Sequence, residues 1–244
     1  MTKIRFSLLT VAFSLACSGF TSSDARSEPA FQNPARDVMR FGATGPVLVY
    51  VVLGDSTAAG QGAEYESGIA VGTARELSRT HRVEMTNLGV SGAKMSEVLT
   101  SQLGAAERLR SDLVLVSAAA NDVTHLTSVG SVRQSLESII RHLKAANPAV
   151  AIVVTGSPDM GSAARIPALL RPLAGRRTVQ TNEKIRSLAT ETGVTFAPIA
   201  EETGPLFRKD RSLFAADRFH PNARGYATWI PVLNRAIAEA LANR

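Results

Sequence analysis

Five short apolar segments alternate along this chain with segments of helical periodicity. The predicted strands are residues 47–53, 82–88, 113–117, 149–154 and 193–197, and the predicted helices are residues 65–79, 94–110, 131–146, 176–191 and 222–242. The clearest helix stops at Pro148 and carries one apolar stripe at helical spacing: Val132, Leu136, Ile139, Ile140 and Leu143. Strict alternation of strand and helix predicts a parallel sheet with helices on both faces and right-handed crossovers.

The first 25 residues have the layout of a secretory signal peptide. Lys3 and Arg5 precede the apolar stretch 6–16, and small and polar residues follow it as far as Ala25. An apolar stretch of that length is too short to span a bilayer as a helix. We therefore predict an exported protein, periplasmic or secreted, with a signal peptide at 1–25, a linker at 26–45 and one domain at 46–244. The single cysteine, Cys17, leaves open a lipoprotein acylated at that residue.

Composition narrows the class of partner. The formal net charge is +6, but the arginines are scattered and form no cluster of four or more, so we expect no nucleic-acid-binding surface. A basic surface is compatible with peripheral contact to anionic lipid or wall polymers. Cleavage after residue 25 would leave no cysteine, which excludes disulfides and thiolate metal sites from the mature chain.

The first predicted strand runs into a glycine-rich turn, VLVYVVLGDSTAAGQG at 47–62, at the sheet edge where parallel sheets bind ligands. A phosphate-binding P-loop needs four residues between its glycines and then a lysine. Here five residues separate Gly54 from Gly60, and Gln61 stands where the lysine would be. The dinucleotide fingerprint fails as well, because Tyr65 occupies its third glycine position. The remaining interpretation is a turn that presents a reactive serine, Ser56.

A serine nucleophile needs a histidine to take its proton and a carboxylate to orient that histidine. Asp217 precedes His220 by three residues, and in a tight turn this spacing lets the carboxylate accept from one ring nitrogen. An Asp-x-x-His pair alone is more often structural than catalytic, so its pairing with the Ser56 turn carries the argument. The other histidines are His81, His125 and His142, of which His125 remains an alternative base.

Four motifs, in order, resemble those of the SGNH (GDSL-type) serine hydrolase family. They are Gly54-Asp55-Ser56, Gly89 after the second strand, Asn121-Asp122 after the third, and Asp217-Arg218-Phe219-His220 near the C-terminus. The match spans about residues 48 to 226. The resemblance implies the flavodoxin-like fold of that family: a three-layer α/β/α sandwich around a five-stranded parallel sheet.

By the same resemblance, the protein is a serine esterase that needs neither a metal nor an organic cofactor. Ser56 would be the nucleophile, His220 the general base and then acid, and Asp217 the residue that orients His220. The oxyanion hole would combine the backbone N–H groups of Ser56 and Gly89 with the side-chain amide of Asn121. Three donors from three strand ends can converge on one developing negative oxygen.

One residue departs from the family pattern. Ala119 stands where the third motif, Gly-x-Asn-Asp, has its glycine. A methyl group discourages positive φ, so we expect a slightly altered loop that keeps the Asn121 amide in place and leaves the enzyme active. Asp55 and Asp122 are expected to tie the loops together rather than take part in chemistry.

The resemblance leaves the substrate open among several classes. We predict hydrolysis of small-molecule or cell-envelope carboxylic esters with a short acyl group. Alternatives are a carbohydrate or cell-wall polymer O-acetylesterase, a lysophospholipase or thioesterase, and a non-catalytic extracytoplasmic binding protein, which would not need the intact serine, histidine, aspartate and asparagine. The apolar residues of 161–175 predict a wall of the acyl pocket, a flexible flap, or a helix face packed on the sheet. The oligomeric state does not follow from the sequence.

Overall fold

The fold is built around one twisted sheet, seen in a computed structural model that describes residues 37–244. The predicted signal peptide, with Cys17, and residues 26–36 of the predicted linker lie outside the described residues. The strands are β1 Met39–Phe41, β2 Val47–Gly54, β3 Arg82–Asn87, β4 Leu113–Ser117, β5 Ala151–Val154 and β6 Thr195–Phe196. They are arranged in the order β1-β3-β2-β4-β5-β6, and all neighbours are parallel except β1 and β3. The five predicted strands are therefore confirmed as the parallel part of the sheet.

The predicted strand count of five is corrected to six by β1. This strand lies inside the predicted linker 26–45 and pairs antiparallel with β3, with Met39 opposite Met85. Next to that pair, Arg40 forms an ion pair of 3.2 Å with Glu84 across the two strands. Three residues with one charge among them give no periodic signal, so the sequence pattern could not reveal an edge strand of this length.

The helices lie on both faces of the sheet, as the alternation predicts. In chain order they are α1 Ser56–Ala59, α2 Ile69–Leu77, α3 Met95–Glu97, α4 Leu103–Leu109, α5 Ala120–Thr124, α6 Val129–Ala146, α7 Arg171–Thr192, α8 Ile199–Lys209 and α9 Ala223–Ala242. A π-helical stretch, Val98–Gln102, joins α3 to α4. The unpredicted helix α8 contains Gly204 and Pro205, two residues that normally interrupt a helix and so obscured its periodicity.

Alternation along the strands divides the core into two clusters. In β2, Tyr50 and Val52 face the cluster that contains α2, α8 and α9. Val51 and Leu53 face the other, which contains α4, α6 and α7. Side chains alternate between the two faces of a strand, and a strand buried on both faces therefore reads as a continuous apolar run.

The strand order creates a crevice at one edge of the sheet. From β2 the chain crosses to β3 on one side, whereas β4 lies on the other side of β2 and leads on to β5 and β6. Such a change of direction opens a crevice at the carboxyl ends of the two central strands, where α/β proteins bind ligands. Within residues 37–244, no helix is long and apolar enough to cross a membrane.

Candidate active site

Ser56 begins the short helix α1 directly after β2. Asp55 caps this helix, and its Oδ1 accepts from the Thr57 backbone N–H at 2.9 Å and from the Thr57 hydroxyl at 2.8 Å. Gly54 has φ +147°, and a Cβ at that position would lie 1.8 Å from the Ser117 carbonyl oxygen on β4. Only glycine fits this close approach, which places the turn against β4 and brings Ser56 to the crevice.

His220 lies against Ser56 from the opposite end of the chain. Its Nε2 is 2.9 Å from the Ser56 Oγ, and its Nδ1 is 2.5 Å from the Asp217 Oδ2. The other carboxylate oxygen of Asp217 accepts from the backbone N–H groups of Phe219 at 2.9 Å and His220 at 3.0 Å. One continuous series of hydrogen bonds therefore joins the serine hydroxyl, the imidazole and the carboxylate.

The loop that carries His220 is held by backbone contacts. The Ala215 N–H donates to the His220 carbonyl at 2.8 Å. Arg218, which lies between Asp217 and His220 in the chain, has φ +56°. Its carbonyl accepts from the Arg165 N–H at 2.9 Å, which ties this loop to the segment after β5. The position of the imidazole thus depends on contacts from two different parts of the chain.

These contacts determine how the protons are arranged. An ionised carboxylate only accepts hydrogen bonds, so the neutral imidazole of His220 carries its proton on Nδ1 and turns the lone pair of Nε2 toward the Ser56 hydroxyl. Burial raises the pKa of Asp217, but the hydrogen bond and charge of His220 and the two backbone donors outweigh it, and the net pKa lies below its usual value. Asp217 is therefore ionised at neutral pH, and the arrangement favours removal of a proton from Ser56.

Gly89 lies in the loop after β3, and Asn121 lies in the first turn of α5, after β4. A Cβ on Gly89 would come within 2.8 Å of both the Ala58 Cβ and the Ala59 nitrogen, so glycine allows α1 to pack directly on this loop. The Gly89 N–H donates to the Asn87 Oδ1 at 3.0 Å, a contact that the sequence did not suggest. The Asn121 Nδ2 donates to the Ala93 carbonyl at 3.0 Å. An amide nitrogen carries two hydrogens, so this bond fixes the direction of the second one.

Ala119, where the SGNH pattern has glycine, adopts a left-handed backbone conformation. Its φ is +94° and its ψ is −3°, and its side chain is buried. Left-handed backbone costs an L-residue roughly 1–2 kcal/mol. The methyl group therefore strains the turn, and Asn121 still lies in the first turn of α5.

Two buried aspartates accept hydrogen bonds from backbone N–H groups. Burial raises the pKa of Asp55 to about 6, which hydrogen bonds from Thr57 and the charge of His220 only partly offset. Burial also raises the pKa of Asp122, whose Oδ2 accepts from the Met95 N–H at 2.9 Å and so links α5 to α3. Asp122 thus links two segments, as expected, whereas the Asp55 Oδ1 bonds to Thr57 in its own turn.

The other three histidines have partners away from Ser56. The His81 Nδ1 contacts the Thr80 hydroxyl at 2.8 Å, and the His142 Nδ1 pairs with Glu107 at 2.9 Å on the surface. The Nδ1 of His125, the alternative base, lies 2.9 Å from the carbonyl of Asn121 in its own helix. Of the histidines, His220 is the one hydrogen-bonded to Ser56. Within residues 37–244, no three histidine, cysteine, aspartate or glutamate side chains cluster in a way that could hold a metal ion.

A cavity opens beside Ser56 and His220, and most of its lining was not foreseen. The segment predicted as a possible pocket wall, 161–175, contributes Ser162 and Ala163 to it, whereas Leu169 in the same segment is 94% exposed. The cavity is also lined by Phe207 on α8 and Trp229 on α9. No sequence motif identifies these two residues, because they share with other core aromatics only an apolar position on a helix.

The amino-acid sequence and the fold were compared with known proteins. Residues 52–228 match the GDSL-like lipase/acylhydrolase family. A GDSL-like esterase of Mycobacterium tuberculosis is 29% identical over 227 residues, which cover 90% of this chain and 71% of the relative.

Two solved structures show the same fold with the same TM-score. A lipase from a goat rumen metagenome superposes with a TM-score of 0.64 at 18% identity, over 78% of this chain and 97% of its own. A family 3 carbohydrate esterase of Clostridium thermocellum also gives 0.64, at 15% identity, over 80% of this chain and 98% of its own. At these identities the likeness establishes the fold alone.

Proposed function

Because this chain belongs to the GDSL-like lipase/acylhydrolase family, we propose that it hydrolyses carboxylic esters through a covalent acyl-serine on Ser56. Family membership makes the chain an ester-hydrolysing serine hydrolase. The observation that carries the assignment of residues is the unbroken series of hydrogen bonds from the Ser56 Oγ through His220 to Asp217. Each of the three groups has the partner that its role requires.

The reaction proceeds in two acyl transfers. The Ser56 Oγ attacks the ester carbonyl carbon while His220 Nε2 takes its proton, and the Asp217 carboxylate stabilises the imidazolium. The tetrahedral intermediate collapses, and His220 gives the proton to the departing alcohol. Water then attacks the acyl-serine with His220 again as the base, and the carboxylic acid leaves with Ser56 restored.

The oxyanion of the tetrahedral intermediate needs fixed hydrogen-bond donors. We assign this role to the backbone N–H groups of Ser56 and Gly89 and to the side-chain amide of Asn121. The bond from Asn121 to the Ala93 carbonyl supports the assignment, since it orients the second amide hydrogen before the substrate arrives. The Gly89 N–H already donates to Asn87, so an oxyanion would share or replace that acceptor.

The substrate we propose is a carboxylic ester with a short acyl group. A small enclosed cavity next to Ser56 supports this choice on the acyl side. The alcohol side stays open, because a lipase and a carbohydrate esterase resemble this fold equally well.

We further propose that residues 1–25 direct export of the protein. The N-terminal sequence of the protein recovered from the cell envelope or the medium tests this, and an intact Met1 would contradict it.

Hydrolysis of p-nitrophenyl esters from acetate to palmitate tests the proposed reaction. We expect turnover of the short esters by the wild type and its loss in Ser56→Ala. Ser187→Ala, at an exposed position of α7, is the matched control and should retain full activity. Undiminished turnover by Ser56→Ala would remove Ser56 as the nucleophile.

A further inference from the structure

The cavity beside the candidate active site is lined by both Ser56 and His220. It has about 30 Å³ of room for water-sized groups. Its lining also includes Met160, Ala163, Phe207 and Trp229. All four of these residues are buried, so the cavity belongs to the interior of the domain.

Packed aromatic rings form part of the cavity wall. Phe207 is 3% exposed and contacts Phe214 edge-to-face, with their ring centroids 4.9 Å apart. The Trp229 ring lies 6.3 Å from that of Phe207. Rings held on two helices and against one another leave little freedom to move aside. Phe207 is therefore a rigid part of the cavity wall, and an acyl chain that reaches it can extend further only by displacing the ring.

An interior cavity at this position suits one half of an ester. The alcohol must depart into solvent after the first transfer, whereas the acyl group stays bonded to the Ser56 Oγ until water releases it. An apolar chamber that begins at Ser56 can hold a hydrocarbon chain, but it offers a polar alcohol no route out. The chamber thus fits the acyl half.

We propose that this cavity is the acyl-binding pocket and that Phe207 sets the longest acyl chain it accepts. The inference rests on the proposed function. Since one water-sized group needs at least about 10–15 Å³, the cavity holds two to three such groups beyond the carbonyl carbon, which corresponds to acyl groups from acetyl to butyryl. A longer chain would have to displace the packed ring of Phe207.

Two substitutions with opposite effects test the proposal, with kcat/KM measured for p-nitrophenyl acetate, butanoate, hexanoate and octanoate. Phe207→Leu replaces the aromatic ring with a smaller apolar side chain. It should raise the ratio of kcat/KM for hexanoate to kcat/KM for acetate by roughly tenfold or more. Ala163→Val narrows the side wall and should lower the butanoate-to-acetate ratio by about tenfold. Leu206→Ala, on the same helix at a residue that is 44% exposed, is the control and should leave both ratios unchanged.

The outcomes separate this inference from the proposed function. Unchanged ratios in the folded variants, or a wild type that prefers octanoate to acetate, would overturn the assignment of the pocket even if all activity depends on Ser56. Activity that survives Ser56→Ala would instead overturn the proposed function. If Phe207→Leu fails to fold, the Ala163→Val ratio alone decides, because it fills the cavity rather than emptying a core position.

Discussion

Replacement of Asp217 by asparagine tests whether the carboxylate controls the proton on His220. The native Asp217 accepts three hydrogen bonds, two from backbone N–H groups at 2.9 and 3.0 Å and one from the His220 Nδ1 at 2.5 Å. Asparagine keeps one oxygen for the two backbone donors, so the loop should retain its shape. It places an N–H₂ group opposite Nδ1, where two donors cannot form a hydrogen bond.

The magnitude follows from the tautomer of the imidazole. To accept from the new amide, His220 must release the Nδ1 proton and carry it on Nε2, which then donates to Ser56 and cannot act as its base. The same change in a serine protease lowers kcat about 10⁴-fold. At 1.36 kcal/mol for each factor of ten, this corresponds to about 5 kcal/mol of barrier. We therefore expect kcat to fall by roughly 10³–10⁴-fold while KM changes little.

The assay is steady-state hydrolysis of p-nitrophenyl acetate, with circular dichroism melting to verify the fold. Asp210→Asn is a matched control, because Asp210 also accepts from a residue two positions ahead, the Ser212 N–H at 2.9 Å, and lies on the surface. We expect this control to keep wild-type kcat. A folded Asp217→Asn variant with more than about a tenth of wild-type kcat would refute the orienting role, since it would leave the effect at under 1.4 kcal/mol.

Three further substitutions probe separate contacts of the site. Asn121→Ala should lower kcat for p-nitrophenyl acetate by about 10²–10³-fold, because it removes one oxyanion donor. Ala119→Gly relieves a φ of +94° and should raise the free energy of unfolding in urea by up to about 1 kcal/mol, the relief exceeding the extra entropy of the unfolded glycine. Asp55 has a pKa raised from 3.8 to about 6 in the folded state, so the native protein holds that proton more tightly and loses stability as pH rises through this range. Urea unfolding should therefore show Asp55→Asn gaining about 2 kcal/mol relative to wild type between pH 4 and pH 7.

A different result would contradict each of these expectations. Unchanged kcat in Asn121→Ala would remove this amide from the oxyanion hole. Lower stability of Ala119→Gly would mean that the methyl group packs better than its backbone strain costs. Parallel stability–pH curves for Asp55→Asn and wild type would show that the Asp55 carboxyl is not perturbed by burial.

The central strands and the triad candidates could be predicted from the sequence because each leaves a strong local signal. Strands β2 and β4 are buried on both faces and read as continuous apolar runs. Ser56 follows the first of these runs in a glycine turn, and the three-residue spacing of Asp217 and His220 suits a hydrogen bond within one loop. These signals depend on neighbouring residues, which a sequence shows directly.

The parts that the sequence did not predict depend on distant contacts. Strand β1 is three residues long and exists because β3 offers an edge to pair with. The Asn87 side chain that accepts from the Gly89 N–H is oriented by a bond from its Nδ2 to the Ala58 carbonyl, 29 residues away in the chain. In the wall of the cavity, the ring of Phe207 lies near the ring of Trp229. The two residues belong to α8 and α9, and 13 residues of the chain separate these helices. No local pattern encodes such a meeting.

Labelling with diethyl p-nitrophenyl phosphate tests most directly whether Ser56 is the nucleophile. This organophosphate transfers a phosphoryl group to an activated serine hydroxyl, and peptide mass mapping locates the modified residue. We predict one diethylphosphoryl group per chain, on Ser56, with activity lost in proportion to labelling and with much slower labelling in His220→Ala. Inactivation with the label on a different residue, or full activity after complete labelling of Ser56, would contradict it.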